Sequence, residues 1–131
     1  TLKCTEKLNP EEKMGVLVKQ NGYCRVIEYS EMSEKEKNER RPNGRLKHCC
    51  GNLSLFCLSL SFIKQMNTAQ QFLPLHKALK AAQYVDDHGI SHLSSQPIAW
   101  KFETFIFDWL FYTKKVAALF YPRELCFAPL K

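Results

Sequence analysis

A chain of 131 residues, 45% hydrophobic and 24% charged, is long enough for one folded core and too apolar for a disordered segment. Its longest apolar stretches, "NLSLFCLSLSFI" and "TFIFDWLFY", fall short of the roughly 20 residues of a bilayer span, so no membrane association is expected. The formal net charge of +6 suits nucleotides and sugar phosphates as well as nucleic acid. With no aromatic-interleaved basic repeat beside it, nucleic acid is not expected as a partner.

The chain opens at Thr1 without an initiator Met and closes straight after "FAPLK", so it reads as a piece of a longer protein. No charged n-region followed by an apolar core opens it, so no secretory signal is read. Six cysteines, at 4, 24, 49, 50, 57 and 126, form no CxxC pair. Buried reduced thiols in a cytoplasmic protein are expected rather than a disulfide framework or a zinc site.

In chain order, "MGVLVKQNGYCRVIEYSE" predicts strands over about 14–20 and 23–29, joined by a tight turn at Asn21-Gly22. "SEMSEKEKNERR" predicts a short exposed helix, with Ser30 or Ser33 as its N-cap and "RPNGR" as its stop. "LKHCCGNLSLFCLSLSFIKQM" starts as a strand and turns helical near Ser59. "LPLHKALKAAQYVDDHGISHLSSQP" is mixed, with a turn at Asp-Asp-His-Gly. In "AWKFETFIFDWLFY", apolar residues at 102, 105, 106, 109 and 110 have a helical period. "KVAALFY" is then a strand, and an irregular end follows. Alternating strands and helices predict an α/β class.

The chemistry readable from these residues is thin. His88 and His92 have i, i+4 spacing, but Gly89 lies between them and no HExxH context surrounds them, so no metal site is assigned. No GxSxG elbow, GxxxxGK[ST] or GxGxxG is present. In "CRVIEYSE", Cys24, Val26 and Glu28 share one strand face, which puts a carboxylate at the end of an apolar run. Such a charge needs a hydrogen-bonding neighbour or a ligand, and periodicity alone leaves both open. Asn52 could close a turn after Gly51. Lys101, Phe105 and Asp108 would share one helix stripe, as a core edge or as a ligand face.

Five motifs in order, "EKMGVLVKQNGYCRVIEYSEMS", "CCGNLS", "YVDDHG", "WKFETFIFDWL" and "PRELCFAPLK", together resemble the eukaryotic UDP-N-acetylhexosamine pyrophosphorylases over nearly the whole chain, most weakly at 66–83. The resemblance implies part of a Rossmann-like, GT-A-like nucleotidyltransferase domain with a mixed sheet, spanning 1–131. It implies a parent that joins UTP to N-acetylglucosamine 1-phosphate, with Mg²⁺ as cofactor held by residues outside this chain. Position by position, Glu28 would accept hydrogen bonds from sugar hydroxyls, Asn52 would face the sugar, and Gly15 would allow close approach. Lys101 would contact the nucleotide phosphates, Phe105 and Phe107 would lie near the N-acetyl group, and Lys131 would reach the phosphates. No residue is assigned as catalytic in the strict sense.

Departures accompany the resemblance. The Gly-rich "LxGGxGTRLG" loop of the family is not in the chain. Leu55, Phe56, Cys57 and Leu58 stand where relatives carry an Asn-His pair before two aromatics, and Phe120 and Pro122 replace an acidic and an aliphatic residue. A diverged paralogue that binds UDP-sugar or a protein partner without turnover is the alternative.

Overall fold

The computed structural model describes residues 1–68 and 73–128. It divides the chain into two compact units, Thr1–Gln71 with Phe107–Lys131, and Phe72–Ile106.

The first unit is built on a five-stranded sheet. Its strands are β1 (Leu2–Glu6), β2 (Val16–Gln20), β3 (Tyr23–Ile27), β4 (Cys50–Phe56) and β9 (Ala118–Phe120), in the order β3-β2-β4-β1-β9. All neighbours are antiparallel except β1 and β9, which pair in parallel, so the sheet is mixed and the α/β expectation holds. The β2–β3 hairpin forms where the sequence places it. Asn21 (φ 53°) and Gly22 (φ 84°) both take the left-handed conformation that a two-residue hairpin turn requires.

Helix α1 (Glu34–Asn38) is capped by Ser33, not Ser30. The Ser33 hydroxyl oxygen accepts from the Glu36 N–H, and the Glu36 carboxylate accepts from the Ser33 N–H at 2.9 Å, a reciprocal capping box. Helix α2 (Leu60–Thr68) begins after Ser59, whose Oγ accepts from the Phe62 N–H at 3.3 Å. Leu2, Cys4, Val16, Val26, Met66, Phe107 and Leu110 are buried in this unit. Thr5, also buried, donates its hydroxyl to the Tyr121 carbonyl at 3.1 Å, which satisfies it without water.

The second unit consists of two antiparallel ribbons. In one, β5 (His76–Lys80) pairs with β8 (Ala99–Glu103); in the other, β6 (Gln83–Val85) pairs with β7 (Ser91–Leu93). The turn between β6 and β7 is organised by Asp86, whose Oδ1 accepts from the His88 and Ile90 N–H groups at 2.9 Å each.

One expected helix is overturned. Residues 99–112 are not one helix but β8 followed, after Thr104 and Phe105, by a 3₁₀ helix, Ile106–Tyr112. The apolar spacing fits a helix, but Trp100 and Phe102 favour a strand once His76–Lys80 offers hydrogen-bonding partners. The stripe of Lys101, Phe105 and Asp108 is therefore broken between the two units. Strand β1 was not foreseen, because "LKCTE" is a short alternation with no turn signal before it. Among the described residues, no helix is long and apolar enough to cross a membrane.

Candidate functional site

Three of the residues singled out in the sequence meet in one row across the large sheet. The β2–β3 register pairs Val16 with Ile27, so Gly15 follows opposite Glu28. The β2–β4 bridge pairs Val16 with Gly51, and the Asn52 N–H donates to the Gly15 carbonyl at 2.8 Å. Beyond Asn52, the β1–β4 register places Cys4. Glu28 just past β3, Gly15 just before β2, Asn52 on β4 and Cys4 on β1 thus run side by side, with their side-chain directions on a common face.

Gly15 is what opens this row. A Cβ there would lie 2.6 Å from Glu28 Oε1 and 3.0 Å from Val26 Cγ1, so any larger residue would displace the carboxylate. Val26 and Glu28 therefore project to the same side, as the alternation in "CRVIEYSE" predicts. Glu28 is half-buried, and its own backbone N–H is held by the Glu31 carboxylate at 3.3 Å.

Asn52 is nearly covered, at 7% exposure, and its Oδ1 accepts from the Ser54 N–H at 3.0 Å. That contact orients the amide and directs its NH₂ donors away from the local turn. The β1–β4 register shifts just beside it: Lys3 pairs with Leu55 but Cys4 with Asn52, and Ser54 in the interruption takes φ 57°. A left-handed non-glycine residue costs about 1–3 kcal/mol and is found where a strand is bent to aim a side chain. A carboxylate that can accept from two hydroxyls, an amide donor and a glycine floor between them form a surface suited to a hydroxyl-bearing ring.

The remaining predicted residues distribute differently. Phe107 is in the same unit but buried at 5% exposure, at the start of the 3₁₀ helix. Lys101 and Phe105 belong to the second unit, where Lys101 Nζ lies 2.8 Å from Glu103 Oε2 and the Phe105 ring packs on His76 at 4.9 Å. Lys131 lies outside the described residues. His92 and His88 do not converge: His92 Nε2 sits 2.7 Å from Asp86 Oδ2, and His88 contributes its backbone N–H to the same turn.

Sequence reasoning missed the place of Cys4 and the roles of Lys7 and Arg123. Lys7, just past β1, is 2% exposed; its Nζ has no hydrogen-bond partner among the described residues, and burial pulls its pKa down. Arg123, in "PREL", ties the C-terminal segment to the sheet. Its Nη1 donates to the Glu6 carbonyl at 2.8 Å, its Nη2 lies 2.9 Å from Glu12 Oε2, and its guanidinium covers the Phe127 ring at 4.4 Å. No local signal marks Cys4 or Lys7, since register and burial are decided by distant strands.

The chain matches no model of a known protein family. Its relatives are nonetheless consistent. It is 36% identical over 132 residues to UDP-N-acetylhexosamine pyrophosphorylase-like protein 1 of Homo sapiens, covering 98% of this chain and 26% of that protein. The protein of the same name in Xenopus tropicalis is 34% identical, with 98% of this chain and 25% of the relative covered. Among solved structures, a protein assigned as a UDP-N-acetylglucosamine pyrophosphorylase from Entamoeba histolytica superposes with a TM-score of 0.77 at 34% identity, over 99% of this chain and 32% of its own. The UDP-N-acetylglucosamine pyrophosphorylase of Trypanosoma brucei gives a TM-score of 0.69 at 26% identity, over 99% of this chain and 25% of its own.

Fold and relatives define the class first: a mixed α/β segment of the kind found in sugar-nucleotide pyrophosphorylases. Over nearly its whole length the chain is similar to UDP-N-acetylhexosamine pyrophosphorylase-like proteins, and it spans about a quarter of the length of the curated relatives it matches.

Proposed function

We propose that this chain is the sugar-facing segment of a cytoplasmic uridylyltransferase that joins UTP to N-acetylglucosamine 1-phosphate, releasing pyrophosphate. The observation that carries the reading is the row Glu28–Gly15–Asn52. In the reaction, a phosphate oxygen of the sugar 1-phosphate attacks the α-phosphorus of UTP and pyrophosphate leaves. No protein nucleophile is needed, so the task of these residues is orientation. Glu28 accepts from two sugar hydroxyls, Asn52 donates to a third polar group, and Gly15 lets the ring come down onto β2. Lys101 and Lys131 serve the phosphates, with Phe105 and Phe107 near the N-acetyl group. Six free thiols suit a reducing compartment.

Divalent-metal chemistry belongs to this reaction class. Among the described residues, no group of three His, Cys, Asp or Glu side chains is placed to hold a metal ion; in this reading residues outside this chain would hold Mg²⁺, and no step is routed through it. The 131 residues also lack the Gly-rich nucleotide loop and should not turn over substrate alone.

The test is Glu28→Ala in the whole protein. The KM for the sugar 1-phosphate should rise at least tenfold more than the KM for UTP, the equivalent of about 1.4 kcal/mol of selective binding. Equal effects on the two substrates would overturn the role. A second reading, a paralogue that binds UDP-sugar without turnover, is favoured by Leu55, an apolar side chain 57% exposed at a position where the resemblance implies a polar one. Equilibrium binding of UDP-N-acetylglucosamine without pyrophosphate release would select it.

A further inference from the structure

The sheet carries a pair of thiols that the proposed reaction does not use. Cys4 on β1 pairs with Asn52, and Cys50 on β4 pairs with Glu6, so the two cysteines are diagonal neighbours on one face of adjacent strands. The two thiols are close enough to perturb each other's titration, Cys4 upward and Cys50 downward. Cys4 is fully buried, whereas Cys50 is half-exposed and lines a cavity of about 290 Å³ together with Lys19, Arg41, Lys47 and His48. Lys47 is engaged by Glu39 at 2.8 Å, which leaves the cavity wall cationic through Lys19 and Arg41.

We propose that Cys50 is a site of reversible oxidation by a hydroperoxide and that Cys4 resolves the product into a disulfide joining β1 to β4. The two sulfurs divide the work by position: the one facing the cavity meets the oxidant, and the buried one waits behind it. Their contact also separates them by protonation. Cys4 donates its proton, which together with burial pushes its own pKa far up, and the Cys50 sulfur, as acceptor, is held below the usual thiol range. Cys50 is thus the more acidic of the two thiols, and the nucleophile.

In the first step the Cys50 thiolate attacks one peroxide oxygen. The O–O bond breaks, the leaving oxyanion takes a proton from solvent, and the sulfur, oxidised by two electrons, becomes a sulfenic acid. In the second, the Cys4 sulfur attacks the Cys50 sulfur. The S–O bond breaks, and the hydroxyl leaves as water with the Cys4 proton. A dithiol reductant reverses the bond. Diagonal cross-strand pairs lie about 7–8 Å apart, at or just beyond the roughly 7 Å of Cα separation that a disulfide spans without backbone movement. The bond therefore draws β1 and β4 together beside Asn52.

Cys49 lines the same cavity and is the rival. The two are separated by treating the whole native protein with hydrogen peroxide, blocking remaining thiols, and digesting with trypsin without reductant. The expected product joins the peptide of residues 4–7 to that of 48–64 with loss of two hydrogens. Fragment ions should place the bond on Cys50, and dithiothreitol should abolish it. Cys49→Ser should retain the product and Cys50→Ser should lose it. Absence of the cross-link in the native protein, or a bond mapped to Cys49 or Cys57, overturns the proposal. The mapping in the unmodified protein decides the matter even where a variant fails to fold, and it is independent of whether the protein turns over a sugar phosphate.

Discussion

The two units put similar proportions of apolar side chain to different use. In the first, Leu2, Cys4, Thr5 and Val16 are essentially sealed from solvent, and strands distant in sequence share one sheet. In the second, no described residue is fully buried, and Val85, Leu93, Trp100 and Phe102 are more than half exposed. Two-stranded ribbons are marginal on their own, so turn chemistry and local pairs such as Lys77 over Trp100 hold this unit together. A polar notch with a glycine floor and a left-handed Ser54 can be sustained only where the surrounding sheet is packed well enough to carry its cost. The row of Glu28, Gly15 and Asn52 accordingly lies in the first unit.

This contrast can be broken or sharpened by measurement. The largest effect is expected from Leu2→Ala, which empties a site 1% exposed and should destabilise the first unit by about 2–5 kcal/mol in urea denaturation. Trp100→Ala, the bulkiest truncation available on β8, should cost only about 0.5–1 kcal/mol, since the ring is 54% exposed and loses little beyond its cation–π contact. Equal losses would break the comparison.

The smallest effect concerns pH and the β6–β7 turn. Asp86 has its pKa lowered from the ordinary 3.8, first by the hydrogen bond with His92 and then by the Ile90 and His88 N–H groups. A carboxylate depressed by folding contributes stability above its unfolded value and loses that contribution as pH falls through the folded one. The Ile90 and His88 amides should therefore keep their hydrogen-exchange protection down to about pH 3.8 and lose it below. Asp86→Asn should remove the step while leaving amides in β2 and β4 unchanged.

What the sequence disclosed follows the range of the interactions involved. Asn21-Gly22, Ser33 with Glu36, and Ser59 act within four residues of themselves, and each is where the motif predicts. Glu28 was visible because a carboxylate at the end of an apolar run is anomalous without a partner. The helix expected over 99–112 failed because residues 99–103 choose their conformation by pairing with His76–Lys80, which periodicity does not see. Cys4 opposite Asn52 was invisible for the same reason: two strands nearly fifty residues apart set the register. The resemblance to pyrophosphorylases implies roles for Glu28, Asn52 and Lys101 that no local pattern carries.

The parallel pairing of β1 with β9 has a consequence for how the molecule comes into being. Leu2 must find Ala118, and Cys4 must find Phe120, although the second unit is synthesised between them. At about 5–20 residues per second, a ribosome delivers β9 on the order of ten seconds after β1. Through that interval one edge of β1 has unpaired backbone groups, the kind of edge on which nascent chains associate. Closing so long a loop is also slow compared with forming the β2–β3 hairpin. The order of events during translation should then be the hairpin first, β4 and β1 next, and the far edge of the sheet last, with chaperone contact concentrated on "LKCTE" until β9 arrives.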